Sequence, residues 1–240
     1  MEDTKANIKC KACGETGTGN YCSRCGQPFT VKRISLQGLF QDIFHFFTHL
    51  EKGFGFTLKN LTVAPGQMQL AYMEGNRVNH QKPFAMFFIC VTIASLVRYW
   101  IFNALMKFYH ADVISEANFF HQYMVITYIV LLPVYSLITY LLFYRSKYNY
   151  AEIGVLMLYT LSLVFLLSSV ISILILIWPE LDIAYVEFPV FTFYFTITFI
   201  SFFKTIPRWE VTVKSILVMV IAFMMNDVIE DCIIRLISKS

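Results

Sequence analysis

The sequence predicts an all-α polytopic membrane protein of about five transmembrane helices, with a small cysteine-rich module at its N-terminus. Three observations predict it. Of the 240 residues, 57% are hydrophobic and only 15% charged, with 24 Phe and 14 Tyr and a mean hydropathy of +0.59; a soluble domain of this length could not hide so much apolar surface. The apolar residues gather into stretches of about 20, the length that crosses a bilayer as a helix. Four of the six cysteines fall within the first 25 residues.

Those four stand as Cys10-x2-Cys13-x8-Cys22-x2-Cys25. Two C-x2-C turns are the spacing that delivers four thiolates to one tetrahedral Zn²⁺ at about 2.3 Å. A glycine follows the second cysteine of each pair (Gly14, Gly26), which suits a tight turn with one residue at positive φ. The eight residues between the pairs are enough for one short hairpin. Rubredoxin-type iron uses the same ligands, and a disulfide framework is the remaining alternative. The expectation is one structural zinc in a ribbon over residues 1–33. Six basic side chains against three acids in that stretch, with a Zn(Cys)4 centre adding about minus two, leave no basic stripe of the kind phosphate recognition needs. Nucleic acid is therefore not an expected partner.

Residues 34–82 are neither ribbon nor span, and are expected to form cytoplasmic amphipathic or interfacial helices. Leu36, Leu39, Phe40, Ile43, Phe44, Phe47 and Leu50 recur at helical spacing, with Ser35 as N-cap and Gly53 as stop. Such a helix lies in the membrane interface or packs on the cytoplasmic ends of the bundle. His45 and His49 stand at i, i+4 and are expected on its solvated polar face. Pro65 suits the first turn of a short helix and Gly75 its C-cap. Arg77, His80 and Lys82 follow just before the first span, at headgroup height. They are expected to form a basic collar on anionic lipid or, alternatively, an anion site.

Five spans are expected, at 83–106, 122–144, 153–178, 186–203 and 211–237. Pro133 should kink the second. The fourth has an alternating Phe/Thr texture that would suggest a strand in water; in lipid a lone strand leaves its backbone unsatisfied, so a helix is expected. The fifth is apolar from Ile216 to Met225 and then meets Asn226, Asp227, Glu230 and Asp231. Arg98 lies within the first span. It either snorkels to the interface or meets one of Asp227, Glu230 and Asp231 at matching depth, since a buried unpaired charge is costly.

Fifteen of the nineteen Lys and Arg fall on one side of these spans: ten before the first, two in the 145–152 loop and three in the 204–214 loop. The positive-inside rule then places the N-terminus in the cytoplasm and the C-terminus outside. Reduced cysteines suited to metal agree with that side.

The run Tyr21-Cys22-Ser23-Arg24-Cys25-Gly26-Gln27, followed by Phe56-Thr57-Leu58, Pro65-Gly66 and Gly75-Asn76-Arg77 before Pro83, resembles an uncharacterised family of bacterial membrane proteins with an N-terminal zinc ribbon, over about residues 10–100. The resemblance implies a bacterial inner-membrane location and a helical membrane domain, and carries no activity. The five-span, N-inside layout is also similar to that of Yip1-type membrane proteins, in plan alone.

No Walker loop, nucleophile elbow, H-E-x-x-H or dinucleotide fingerprint is present, so an enzyme is not expected. Cys90 and Cys232 lie in apolar spans and are expected to be packing residues. The leading expectation is a membrane-embedded interaction, assembly or membrane-organising module, with the lipid bilayer and a cytoplasmic protein as partners and oligomerisation left open. The alternative is a transporter or channel for a small solute or ion.

Overall fold

The computed structural model describes residues 8–39, 53–109, 114–178 and 181–237. The N-terminal module is small. Strands β1 (Ile8–Lys9) and β2 (Thr16–Gly17) pair antiparallel with Ile8 opposite Gly17, and a single bridge joins Tyr21 to Pro28. Its core is Cys10, Cys22 and Phe29. The Phe29 ring lies over Gly17, where an added Cβ would come within 2.8 Å of Cζ.

From residue 54 onward the described helices are α1 (Phe54–Val63), α2 (Pro65–Met73), α3 (Pro83–Tyr109), α4 (Ile114–Leu142), α5 (Tyr150–Ser172), α6 (Ala184–Phe202) and α7 (Arg208–Ile237). Four contain stretches long and apolar enough to cross a membrane: Pro83–Leu105, Tyr150–Leu176 (α5 with the 3-10 turn that extends it), Ala184–Phe202 and Arg208–Ile229. The second expected span, α4, contributes the shorter apolar stretch Ile126–Leu142 and carries Pro133 inside it. The Phe/Thr-rich segment is helical. Thr196 and Thr198 each donate their hydroxyl to the carbonyl four residues back, at 2.7 Å, which satisfies these polar groups within the helix itself.

Helix α5 lies at the centre, buried along most of its length, with α3 and α4 against it. Its start is fixed by a capping box. The Asn149 side chain accepts from the Glu152 amide (2.9 Å), and the Glu152 carboxylate accepts from the Asn149 amide (2.8 Å). An aromatic cluster joins the ends of α4 and α6: the rings of Phe143 and Phe203 stack at 4.2 Å, with Phe199, Phe202 and Tyr148 around them.

The short helices before the first span pack directly against the apolar helices. Leu61, Met68 and Tyr72 of α1 and α2 belong to the same apolar core as the spans. Gly66 makes this possible: a Cβ there would collide with the Thr198 carbonyl and stand 2.8 Å from the Phe202 amide nitrogen, so α2 meets α6 backbone to backbone. Of the expected amphipathic helix before it, the Ser35 cap is present, its hydroxyl accepting from the Gly38 amide at 3.3 Å. Residues 36–39 form its first helical turn; residues 40–52, with His45 and His49, lie outside the described residues.

Candidate metal centre and its mounting

The two cysteine pairs fold into two copies of one turn. In the first, the Gly14 amide donates to the Cys10 carbonyl (3.0 Å) and the Cys10 amide to the Glu15 carbonyl (2.7 Å). In the second, Gly26 donates to Cys22 (2.9 Å) and Cys22 to Gln27 (2.8 Å). Gly14 and Gly26 close these turns at φ 79° and 74°, the left-handed region that a side chain disfavours. The sequence signal of Cys followed by Gly is therefore a backbone requirement.

The turns bring four sulfurs together. Cys10 Sγ is 3.6 Å from Cys25 Sγ, Cys13 Sγ is 3.5 Å from Cys22 Sγ, and all four ligand atoms lie within 4.8 Å of one another. A tetrahedron with metal–sulfur bonds of about 2.3 Å has edges of about 3.8 Å, so the cluster fits a single ion. Backbone amides point at the sulfurs. Those of Cys13 and Ala12 hold the Cys10 thiol down to about 6, against burial. At Cys25 the Gln27 amide acts in the same direction, but burial and the three neighbouring sulfurs outweigh it and push the thiol up to about 12. Four thiolates at this spacing repel one another, and a central cation relieves that repulsion. A soft all-sulfur donor set suits zinc or iron and not hard cations.

The module is bolted to the helices. Gln27 is nearly fully buried; its backbone serves the second knuckle, while its side-chain oxygen accepts from the Arg77 and Val78 amides at 3.4 and 3.2 Å. Arg33 reaches the start of α5 and donates from Nε and Nη2 to the two carboxylate oxygens of Glu152, each at 2.8 Å, and from Nη2 to the Lys147 carbonyl. Beside it, the Asn149 side chain donates to the Ile34 carbonyl at 3.1 Å. Sequence reasoning did not find Gln27, Arg33 or Glu152. Glu152 carried the signal of a charge at the start of an apolar run, but its partner is remote in sequence.

The residues expected in a basic collar separate. Arg77 spends its guanidinium inward, donating to the Tyr72 carbonyl (3.2 Å) and the Lys32 carbonyl (3.3 Å) over the Tyr72 ring. His80 is buried between the rings of Phe56 and Tyr72, and burial pulls its pKa below the ordinary value. Lys82 is partly exposed. A groove of about 590 Å³ runs between the module and this loop, lined by Pro28, Val31, Lys32, Arg77 and Val78 among others.

Arg98 meets a carboxylate outside the acidic cluster named above. Its Nη2 donates to Glu187 of α6 at 3.0 Å and to the Ser168 hydroxyl of α5 at 2.6 Å, and Ser168 in turn donates to Glu187 at 2.6 Å. Asp227 is exposed; the side chains of Glu230 and Asp231 lie outside the described residues. Cys90 is fully buried in α3, and Cys232 is exposed.

Fold and site together define a helical multi-pass membrane protein with an N-terminal four-cysteine centre able to hold a metal ion. Over residues 51–94, which span α1, α2 and the first part of α3, the chain is similar to a family described as a protein of unknown function (DUF3667). No curated protein and no solved structure matches it. The four cysteines lie outside the matched segment.

Proposed function

We propose that this protein is an interaction or assembly module of the bacterial inner membrane, holding a zinc ribbon in fixed orientation at the cytoplasmic face for a protein partner. The observation that carries this reading is the mounting. Arg33 and Asn149 clamp the ribbon's exit to the cap of the central helix, and Gln27 ties its second knuckle to the loop before α3. A tethered knob needs no such clamp; a docking face whose position matters does. The ribbon offers Tyr21, 66% exposed, and Ile8, 40% exposed, as apolar contacts. The basic loops around residues 145 and 204 support a cytoplasmic ribbon, and reduced thiols there support zinc.

The test uses the full chain in its membrane, with a photo-crosslinking residue in place of Tyr21. One discrete protein adduct is expected, lost in Cys13→Ser, with reporters at 150 and 207 inside and at 115, 182 and 240 outside. Solute flux by the purified protein in vesicles, together with no adduct at Tyr21, would overturn the reading in favour of a transporter.

A further inference from the structure

The short helices α1 and α2 bury one face and leave another open, and the open face has a definite chemistry. On the buried side Thr57 and Leu61 are fully enclosed; the Thr57 hydroxyl accepts from the Gln81 amide at 2.8 Å. On the outer side Phe56, Lys59 and Val63 follow one another at i, i+3 and i+7, one stripe of a helix. Phe56 is 50% exposed, Val63 is 76% exposed, and Lys59 is exposed with no acidic partner among the described residues. An aromatic ring, a cation on a four-carbon stem and a branched aliphatic in a row is the pattern of a helix seated at the boundary between headgroups and acyl chains.

The stripe is also continuous with surface that must meet lipid. At one end the Tyr194 hydroxyl of α6 donates to the Leu61 carbonyl, and Gly66 abuts Thr198. The neighbouring α6 residues Phe193 and Ile197 are open to the outside of the bundle. At the other end Phe56 packs on His80, just before α3 begins. Helix α3 joins α5 through Phe87–Phe165 and Arg98–Ser168, and just before α3 the Gln81 carbonyl accepts from the Tyr159 hydroxyl. Around the start of α5 stand Arg33 and the helix's own Asn149 cap, and at Thr160, next to Tyr159, it is met by Gln69 of α2. Helices α1 and α2 thus pack on α5 and α6 as part of the bundle.

We infer that α1 and α2 are a membrane-contacting element whose Phe56–Lys59–Val63 stripe lies against phospholipid, Phe56 and Val63 in the acyl boundary and Lys59 on the phosphates. This makes an exposed face of the family-matched segment a lipid surface, and it does not depend on what the ribbon binds.

The experiment places a benzophenone amino acid singly at Phe56, Val63, Phe193 and Tyr21 of the full chain. Each variant is reconstituted in phosphatidylethanolamine–phosphatidylglycerol vesicles containing an alkyne-tagged phospholipid. Phe193 is the lipid-facing reference and Tyr21 the ribbon reference; unchanged melting temperature shows that each variant is folded. Positions 56 and 63 are expected to give lipid adducts at about the Phe193 level and several-fold above Tyr21. Yields at 56 and 63 equal to Tyr21 would overturn the inference, as would protein adducts replacing lipid adducts at these positions in native membranes. Lys59→Glu should lower phosphatidylglycerol retention in native mass spectrometry several-fold while Lys59→Arg keeps it; equal retention in both would remove Lys59 from the surface.

Discussion

Arg33 and Glu152, 119 positions apart in the sequence, meet through two parallel hydrogen bonds of 2.8 Å. The same carboxylate closes the capping box of α5, so one residue both starts the central helix and holds the metal-binding module. Three acceptor demands on a buried carboxylate are met at once, which is what permits its burial.

Separating these roles is a matter of substitution. Glu152→Gln keeps the cap, because Gln serves at that position as well as Glu, but loses the ion pair. A double-mutant cycle of Arg33→Ala with Glu152→Gln should give a small favourable coupling, held down because the Arg33 side chain is 61% exposed. Arg33→Lys should recover less than half of it, since an ammonium cannot donate as a fork. Thermal unfolding in detergent measures this; full recovery by lysine would contradict the bidentate geometry.

For the metal centre, one ion per chain is expected, and it is expected to be zinc. Cys13→Ser should abolish binding and open the 8–33 module to protease, while the helical circular dichroism of the spans is unchanged, because the two segments draw on separate sources of stability. Elemental analysis of fresh protein decides between zinc and iron.

Gly66 and Gly55 make a matched pair. Gly66→Ala drives a methyl into the backbone of α6 and should cost about 1–3 kcal/mol, lowering the melting temperature. Gly55, an exposed helical position with nothing within 4 Å of an added Cβ, should gain up to about 1 kcal/mol from Ala. Equal effects at the two positions would contradict the close approach of α2 and α6.

His80 carries a pH dependence. Burial between Phe56 and Tyr72 favours its neutral form, so its folded pKa lies below the unfolded value of about 6.5. The unfolded chain then binds the proton more readily, and stability falls as pH drops below about 6.5. Replacing His80 with Gln should flatten the melting temperature between about pH 6.5 and 5; an unchanged slope would place the titrating group elsewhere.

Arg98 and Glu187 are each 13% exposed along their side chains. Truncating one leaves the other charged and enclosed, so Arg98→Leu and Glu187→Leu should each cost about 3–5 kcal/mol, and the double variant less than either. Strictly additive losses would rule out the pair as the reason these charges are tolerated in an apolar bundle.

By itself the sequence determined the four-cysteine cluster and the apolar helices, because both are written locally. Two cysteines and one glycine fold each knuckle from contacts within six residues, and an apolar run of bilayer length is a helix wherever its backbone must satisfy itself. Even the Phe/Thr alternation of α6 yielded to that demand. Tertiary structure alone decided which charges meet. It brought Glu187, a carboxylate remote in sequence, to Arg98 through the packing of α3, α5 and α6. It likewise turned Arg77 and His80 inward, where a headcount of basic residues pointed outward. Residues 54–73 became part of the core because Gly66 lets two backbones touch, a contact that neither periodicity nor composition encodes, since it depends on the shape of a surface 130 residues further along the chain.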